Sequence, residues 1–342
     1  MKNSKKRPKI LISTGIYPPD IGGPAEYAKN LEEEFLRSGH GVVLKTYGKI
    51  ERFLPMGIRH LYYFFKIIPA VLMSDFIIAL DTLSVGVPTV IASKIFFKKV
   101  VIRTGGDFLW ESYVERTGDL VLLAEFYDTR KNRFNLKEKI IFYTTRLILK
   151  TVDVLIFSTK WQQNIWYKAY NLSFAKQKVI ENHYNQKQET GKYTNKNFIC
   201  ATRPLRWKNI GALKVAFYLA KKENTELVLD DAPSPHSLFL ERVKNAYAVI
   251  LVSLGDISPN IILEAISYGV PFILTKENGL MDRIGDIGVF VNPKDIDDIK
   301  NKIIWLSNET NRKEMESKIL NFRFFHNYAQ ISKEFLGVYR KI

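Results

Sequence analysis

SLGDISPNIILEAISYGVPFILT, residues 253–275, holds one full α/β repeat. A β-branched apolar run at 248–251 leads into it. A helix is predicted over 259–268 and a strand over 271–275. Ser258 suits the N-cap, and Pro259 suits the first helical position, where its missing N–H would have no intrahelical acceptor anyway. The N–H groups of Asn260 and Ile261 then point out of the helix start, a place that favours an anion such as phosphate. Glu264, further along this helix, offers a carboxylate to a pair of adjacent hydroxyls, as on a ribose. Capped strand-to-helix turns occur throughout α/β proteins, so by itself this segment speaks for architecture more than for a ligand.

The alternation continues outward on both sides. Upstream, strands are predicted at 198–202 and 226–229, with helices at 210–221 and 238–244. Downstream come a strand at 288–291, a helix at 296–306 and a last helix at 330–340. Before them stands the polar stretch NQKQETGKYTNKN, 185–197, which reads as a linker. The N-terminal half repeats the pattern, with strands at 9–14, 41–47, 75–80, 99–104, 154–158 and 178–180. Helices are predicted there at 25–38, 58–73, 84–96 and 136–150. Strands alternating with helices indicate doubly wound parallel sheets. The expected division is a first Rossmann-like domain over 1–184, a linker over 185–197, a second Rossmann-like domain over 198–328, and a C-terminal helix over 329–342 that packs back towards the first domain.

Composition narrows the class. The 342 residues are 46% hydrophobic and 25% charged, a globular balance for about two domains. Cys200 is the single cysteine, so an internal disulfide and a thiolate metal cluster are excluded. The five histidines are scattered without the paired spacing of a zinc site. Apolar runs are too short to span a bilayer; the longest, near 67–80, is broken by Asp75. The basic start, Lys2, Lys5, Lys6, Arg7 and Lys9, precedes an apolar run better read as a strand than as a leader, and a cytoplasmic location is expected. The net charge is +16, and residues 1–180 hold 28 Lys and Arg against 16 Asp and Glu. That asymmetry fits either a solvated basic surface or contact with an anionic membrane or acceptor. Helix-turn-helix, zinc-finger and RNA-binding signatures are missing, so nucleic acid is not an expected partner. The aromatic stretch 53–65 fits an interfacial face, although Leu61, Phe64, Phe65 and Ile68 are expected mostly to pack on the sheet.

Two further loops carry chemistry. In ATRPLRWKN, 201–209, Arg203 and Lys208 follow a strand and precede a helix. A two-pronged guanidinium and a compact ammonium could together neutralise a diphosphate. In STGIYPPDIGGPAEYAKNL, 13–31, Gly22 and Gly23 allow close backbone approach to a ligand, although no G-x-G-x-x-G dinucleotide fingerprint is present.

In this order and spacing, the three segments resemble glycosyltransferase family 4. That resemblance implies the GT-B fold, two Rossmann-like domains facing across a cleft, with transfer of a hexosyl unit from a UDP- or GDP-sugar and retention of anomeric configuration. Arg203 and Lys208 match the family's pair that grips the donor diphosphate. Asp256 and Glu264 match its two acidic residues eight apart, with Glu264 on the ribose. Gly22 and Gly23 match the loop near the donor phosphates and acceptor. Ser258, Asn260 and Ile261 supply the helix-start contacts. Gly269, Val270 and Pro271 fit the following Gly-x-Pro, and DTLSVGVPTVIASKIFFKKVVIRTGGDFLWE, 81–111, is similar to a subgroup of these enzymes. The family's histidine near the end of a first-domain strand is replaced by Gly105, Gly106 and Asp107, which makes Asp107 a candidate for a sugar or acceptor contact. The first acid is Asp256 rather than Glu, and the usual Gly-rich turn after the second strand of the C-terminal domain reads Asp230-Asp231-Ala232-Pro233. The resemblance implies no divalent metal and no cofactor beyond the donor, a glycan or lipid-linked acceptor, and a place in cell-surface polysaccharide or glycolipid synthesis. Two other readings stay open on these residues: an inactive GT-B scaffold or nucleotide-sugar-binding protein, and a GT-B sugar-nucleotide epimerase.

Overall fold

The computed structural model describes residues 7–20, 22–200 and 203–342. Lys2, Lys5 and Lys6, and the last two positions of the strand predicted over 198–202, lie outside them. In chain order, the first half runs β1 (Ile10–Thr14), α1 (Gly23–Arg37), β2 (Val42–Thr46), α2 (Lys49–Phe53), α3 (Met56–Leu72), β3 (Phe76–Ala79), α4 (Gly86–Ile95) and β4 (Lys99–Thr104). It continues through α5 (Phe108–Thr117), α6 (Leu123–Arg130), α7 (Leu136–Thr151), β5 (Val154–Phe157), α8 (Lys160–Tyr170) and β6 (Gln177–Val179). The second half runs β7 (Lys196–Ile199), α9 (Ile210–Glu223), β8 (Leu227–Asp230), α10 (His236–Lys244), β9 (Ala248–Leu251) and α11 (Asn260–Ser267). It ends with β10 (Phe272–Thr275), α12 (Met281–Ile284), β11 (Val289–Val291), α13 (Ile296–Ser307), α14 (Glu309–Asn321) and α15 (Tyr328–Tyr339).

Two parallel sheets form, in the orders β2-β1-β3-β4-β5-β6 and β11-β10-β9-β7-β8. The central strands β1, β3, β5, β9 and β10 are buried along their whole length, which is why these runs are largely apolar rather than alternating. The chain divides into two compact units. The first holds Met1–Gly106, Phe134–His183 and His326–Ile342; the second holds Asp107–Arg133 and Tyr184–Phe325. The sequence reading divided the chain linearly, whereas both compact units are discontinuous. Residues 107–133 group with the second unit, and the polar stretch 185–197 is part of that unit. There the Gln188 N–H donates to the Ser267 carbonyl at 2.8 Å, and the Lys187 ammonium donates to the Ile266 and Ile319 carbonyls at 2.7 and 2.6 Å.

In the first unit, Ile10 and Ile12 of β1 pack with Leu31 and Phe35 of α1 and with Ile331 and Phe335 of α15. Helices α3, α4 and α7 lie in a row, α3 against α4 and α4 against α7. A reciprocal cap starts α7: the Glu138 N–H donates to Asn135 Oδ1 at 2.9 Å, and the Asn135 N–H donates to Glu138 Oε2 at 2.8 Å. In the second unit, alternate residues of β9 feed two cores. Ala248 and Ile250 meet Leu213 and Phe217 of α9 and Ile299 of α13, while Val249 and Leu251 meet Ile262 and Ile266 of α11.

Candidate functional site

The site lies within the second unit, where the loops after β7, β9 and β10 are tied together by backbone groups. After β7, a 3₁₀ turn over Arg206–Lys208 ends at Asn209, which has φ of 58°. The Asn209 side-chain amide donates to the carbonyls of Val252 and Pro293, at 3.2 and 2.7 Å. The Leu254 N–H donates to the Trp207 carbonyl at 2.8 Å. The Asp256 N–H donates to the Glu277 carbonyl at 2.9 Å, and the Gly279 N–H donates to the Asp256 carbonyl at 3.1 Å. All three loops leave the carboxyl ends of parallel strands, the edge where open α/β sheets hold ligands.

This lacing brings Lys208 onto Asp256. The ammonium lies 2.7 Å from Asp256 Oδ2 and 4.2 Å from the Trp207 ring centroid. Ser253 Oγ donates to the same Oδ2 at 3.0 Å. The two charged side chains are 13% and 11% exposed, so the pair is largely shielded from water. Two residues on, Ser258 departs from its expected role. The helix begins at Asn260 with Pro259 in the cap position, and Ser258 makes no cap. Pro259 supplies the reason: its carbonyl accepts the Ile262 and Leu263 N–H groups at 3.1 and 3.4 Å and so closes the first turn itself. Ser258 Oγ is left buried with no hydrogen-bond partner among the described residues. By helix geometry, the N–H groups of Asn260 and Ile261 have no acceptor within α11. Asn260 and Glu264, four apart, share one face of that helix, and Glu264 is part-buried.

The second contribution comes from α5 and α6. Gly255 permits it: a Cβ there would stand 2.6 Å from Leu123 Cβ and 3.2 Å from the Trp110 ring. The Leu123 N–H donates to the Leu254 carbonyl at 3.1 Å, the Arg206 N–H donates to Glu115 Oε1 at 2.7 Å, and the Trp110 and Trp207 rings are 5.4 Å apart. Asp107, the candidate sugar or acceptor contact, also has contacts within the fold. Its carboxylate is 2% exposed, caps α5 by accepting the Trp110 N–H at 3.0 Å, and accepts the Tyr127 hydroxyl at 2.9 Å. Both contacts help to hold α5 in place.

The carboxyl that faces the cations is Glu111, one turn further along α5, which the sequence reading did not single out. Desolvation and the neighbouring Asp107 anion push it up to about 7, against the pull of Lys208 and Arg203. Arg203 itself is exposed. The position of Glu111, four residues after Asp107 and on the same helix, was the one available signal. Glu277 is also raised, first by desolvation and then by Glu125, and its Oε2 makes no hydrogen bond among the described residues. Gly22 and Gly23 belong to the first unit, at the start of α1, where Gly22 takes φ of 147°, a conformation that excludes a side chain. Among the described residues, no group of three or more His, Cys, Asp or Glu could hold a metal ion.

No protein-family model matches the sequence, and no curated protein matches it. Solved structures do match. Sucrose-phosphate synthase from Thermosynechococcus elongatus aligns with a TM-score of 0.73 at 14% identity, over 98% of this chain and 99% of that one. HepE of Anabaena in complex with UDP-glucose aligns at 0.66 and 14%, over 98% and 100%. The lipopolysaccharide outer core galactosyltransferase WaaB, in its apo form, aligns at 0.63 and 16%, over 98% and 100%. With two parallel six- and five-stranded sheets, the architecture is the GT-B fold, built from two Rossmann-like domains.

Proposed function

We propose that the protein is a retaining glycosyltransferase that moves a hexosyl unit from a UDP- or GDP-sugar to a glycan or lipid-linked hydroxyl acceptor, in cell-surface polysaccharide or glycolipid synthesis. The observation that carries the reading is the Lys208–Asp256 pair, held four residues ahead of the outward amides of α11 at the carboxyl edge of the second sheet. HepE, solved with UDP-glucose and with UDP, supports a nucleotide-sugar donor.

In this reading, Arg203, Lys208 and the amides of Asn260 and Ile261 take the donor diphosphate, and Glu264 takes the ribose hydroxyls. Ser258 Oγ gains the partner it lacks from a phosphate or sugar oxygen. The bond between the anomeric carbon and the diphosphate oxygen breaks as the acceptor oxygen bonds on the same face. The acceptor proton passes to the leaving phosphate oxygen. Negative charge grows on the diphosphate, where the fixed cations and amides stabilise it, so the chemistry calls for no divalent metal. Asp256 orients the Lys208 ammonium and positions the transferred sugar.

Two measurements test this. UDP or GDP should raise the melting temperature equally with and without a chelator. Lys208→Ala and Glu264→Ala should each lower kcat/KM by at least about a hundredfold, the scale of losing a charge-stabilising contact. Full turnover by both variants overturns the assignment.

A further inference from the structure

The outer face of the first unit carries a feature that the donor site does not use. On α3, Ile58, Leu61, Tyr62, Phe65 and Leu72 are all exposed, Phe65 at 62%. Their spacing places them in one stripe along the helix. The opposite side of α3 buries Tyr63, Ile67 and Val71, so this helix is apolar on both sides. The sequence reading expected Leu61 and Phe65 to pack on the sheet; the structure turns them outward, because Tyr63, Ile67 and Val71 already fill that contact. On α7, Leu136, Ile140, Tyr143 and Leu147 form a second exposed stripe, Leu136 at 75%. Between them, α4 exposes Ile91 and Ile95 and is followed by Phe97, at 94%. Because α3 packs on α4 and α4 on α7, the stripes lie side by side. An apolar surface of this extent on a soluble domain marks an interaction face.

Charge identifies what covers it. Residues 49–73, 86–99 and 136–151 contain eleven Lys and Arg and only two acids, Glu51 and Glu138. Both acids are buried, Glu51 paired with Lys66 and Glu138 in the cap of α7. Lys66 is paired with Glu51 and Lys94 with the nearby Asp153, and the other nine cations leave the face with an excess of positive charge. We infer that this face seats the protein on an anionic lipid bilayer, with the α3 and α7 stripes in the boundary between headgroups and acyl chains and the basic side chains reaching lipid phosphates. Tyr62 and Tyr143 stand within the stripes, where amphipathic rings favour that boundary. The helices lie on the membrane rather than cross it: among the described residues, none is long and apolar enough to span a bilayer. A second copy of the chain fits poorly, since a two-fold contact through this face would oppose cations with cations. The inference stands apart from the donor reading, because all its residues belong to the first unit.

Flotation of the full-length protein with vesicles tests it. The protein should float with phosphatidylglycerol–phosphatidylcholine vesicles and not with phosphatidylcholine alone, and binding should weaken as salt rises from about 0.1 to about 0.5 M. Leu61→Glu with Phe65→Glu, and separately Ile140→Glu with Leu147→Glu, should each lower the vesicle partition by at least about tenfold. These side chains are exposed, so unchanged thermal melting of the variants certifies the fold. Absence of flotation with anionic vesicles overturns the inference, as does salt-insensitive binding or full binding by both variant pairs. A concentration-dependent dimer lost in the same variants, without vesicle binding, would assign the face to a second copy and overturn it as well.

Discussion

Replacing Glu111 with Gln should stabilise the protein above neutral pH and leave it nearly unchanged in acid. The folded surroundings raise this carboxyl from 4.5 to about 7, chiefly by desolvation and then by the Asp107 anion. Between those values the folded chain holds a proton that the unfolded chain has released. Stability attributable to Glu111 is therefore complete below the unfolded value and declines as pH rises through the window, reaching its floor above about 7. At about 1.4 kcal/mol per pK step, the interval corresponds to about 3 kcal/mol, and partial solvent access lowers the expected figure to about 1–2 kcal/mol. Gln keeps the shape and removes the ionisation. Urea unfolding of both proteins from about pH 4.5 to pH 8.5 should show curves that nearly coincide at the acid end and diverge above neutrality, with the variant more stable. Parallel curves across that range would show that Glu111 ionises freely, and the described proximity to Asp107 in a desolvated pocket would be refuted.

Two other substitutions probe how the site is held. Asp107→Ala removes the α5 cap and the acceptor of the Tyr127 hydroxyl, so thermal or urea unfolding should show a loss of about 1–2 kcal/mol; a loss below the error of the measurement would mean that the carboxylate does not hold α5. Gly255→Ala drives a methyl into Leu123 and should cost about 1–3 kcal/mol, with weaker nucleotide binding because Asp256 is the next residue; unchanged unfolding and nucleotide affinity would mean that α6 moves aside freely.

The sheets were legible because their strands are short, β-branched and buried on both faces. β4 and β9 fall where the apolar runs 99–104 and 248–251 place them. The short helices α2 and α12 and the helices α5, α6, α8 and α14 were not anticipated. α14 buries only Arg312, Met315 and Ile319, so its apolar period is too sparse to read, and only its Asn308 cap signals a start. The grouping of 107–133 with the second unit depends on contacts between residues far apart in sequence, such as Leu123 with Leu254, and chain order carries no trace of it. The same holds for the site. Lys208 and Asp256 were each legible as residue types at a loop, but their pairing across 48 positions was not. The N-cap assigned to Ser258 failed because the general preference for serine at that place ignored the carbonyl of Pro259, which closes the turn without it.

The energetics of the Lys208–Asp256 pair argue for a role other than holding the fold. Two charges at 13% and 11% exposure lose most of their hydration, and their attraction roughly offsets that loss, so the pair contributes little net stability. Around it the same loops collect further groups that a folding core would avoid. Ser258 Oγ and Glu277 Oε2 are buried without hydrogen bonds among the described residues, and both Glu111 and Glu277 are held above the ordinary carboxyl range by desolvation. Each is individually unfavourable, and neighbouring cores such as that of Ile250, Leu213 and Phe217 show that the sequence can build an apolar interior where one is wanted. Other buried polar atoms without partners, such as Ser158 Oγ and Gln177 Oε1, lie elsewhere, but in the second unit Ser258 and Glu277 join a shielded ion pair, and perturbed polar groups gathered in this way point to a site kept for a ligand. Under the proposed function, the diphosphate of a nucleotide sugar would bring anionic oxygens to Lys208 and the amides of α11, and its sugar hydroxyls would meet the neighbouring carboxylates.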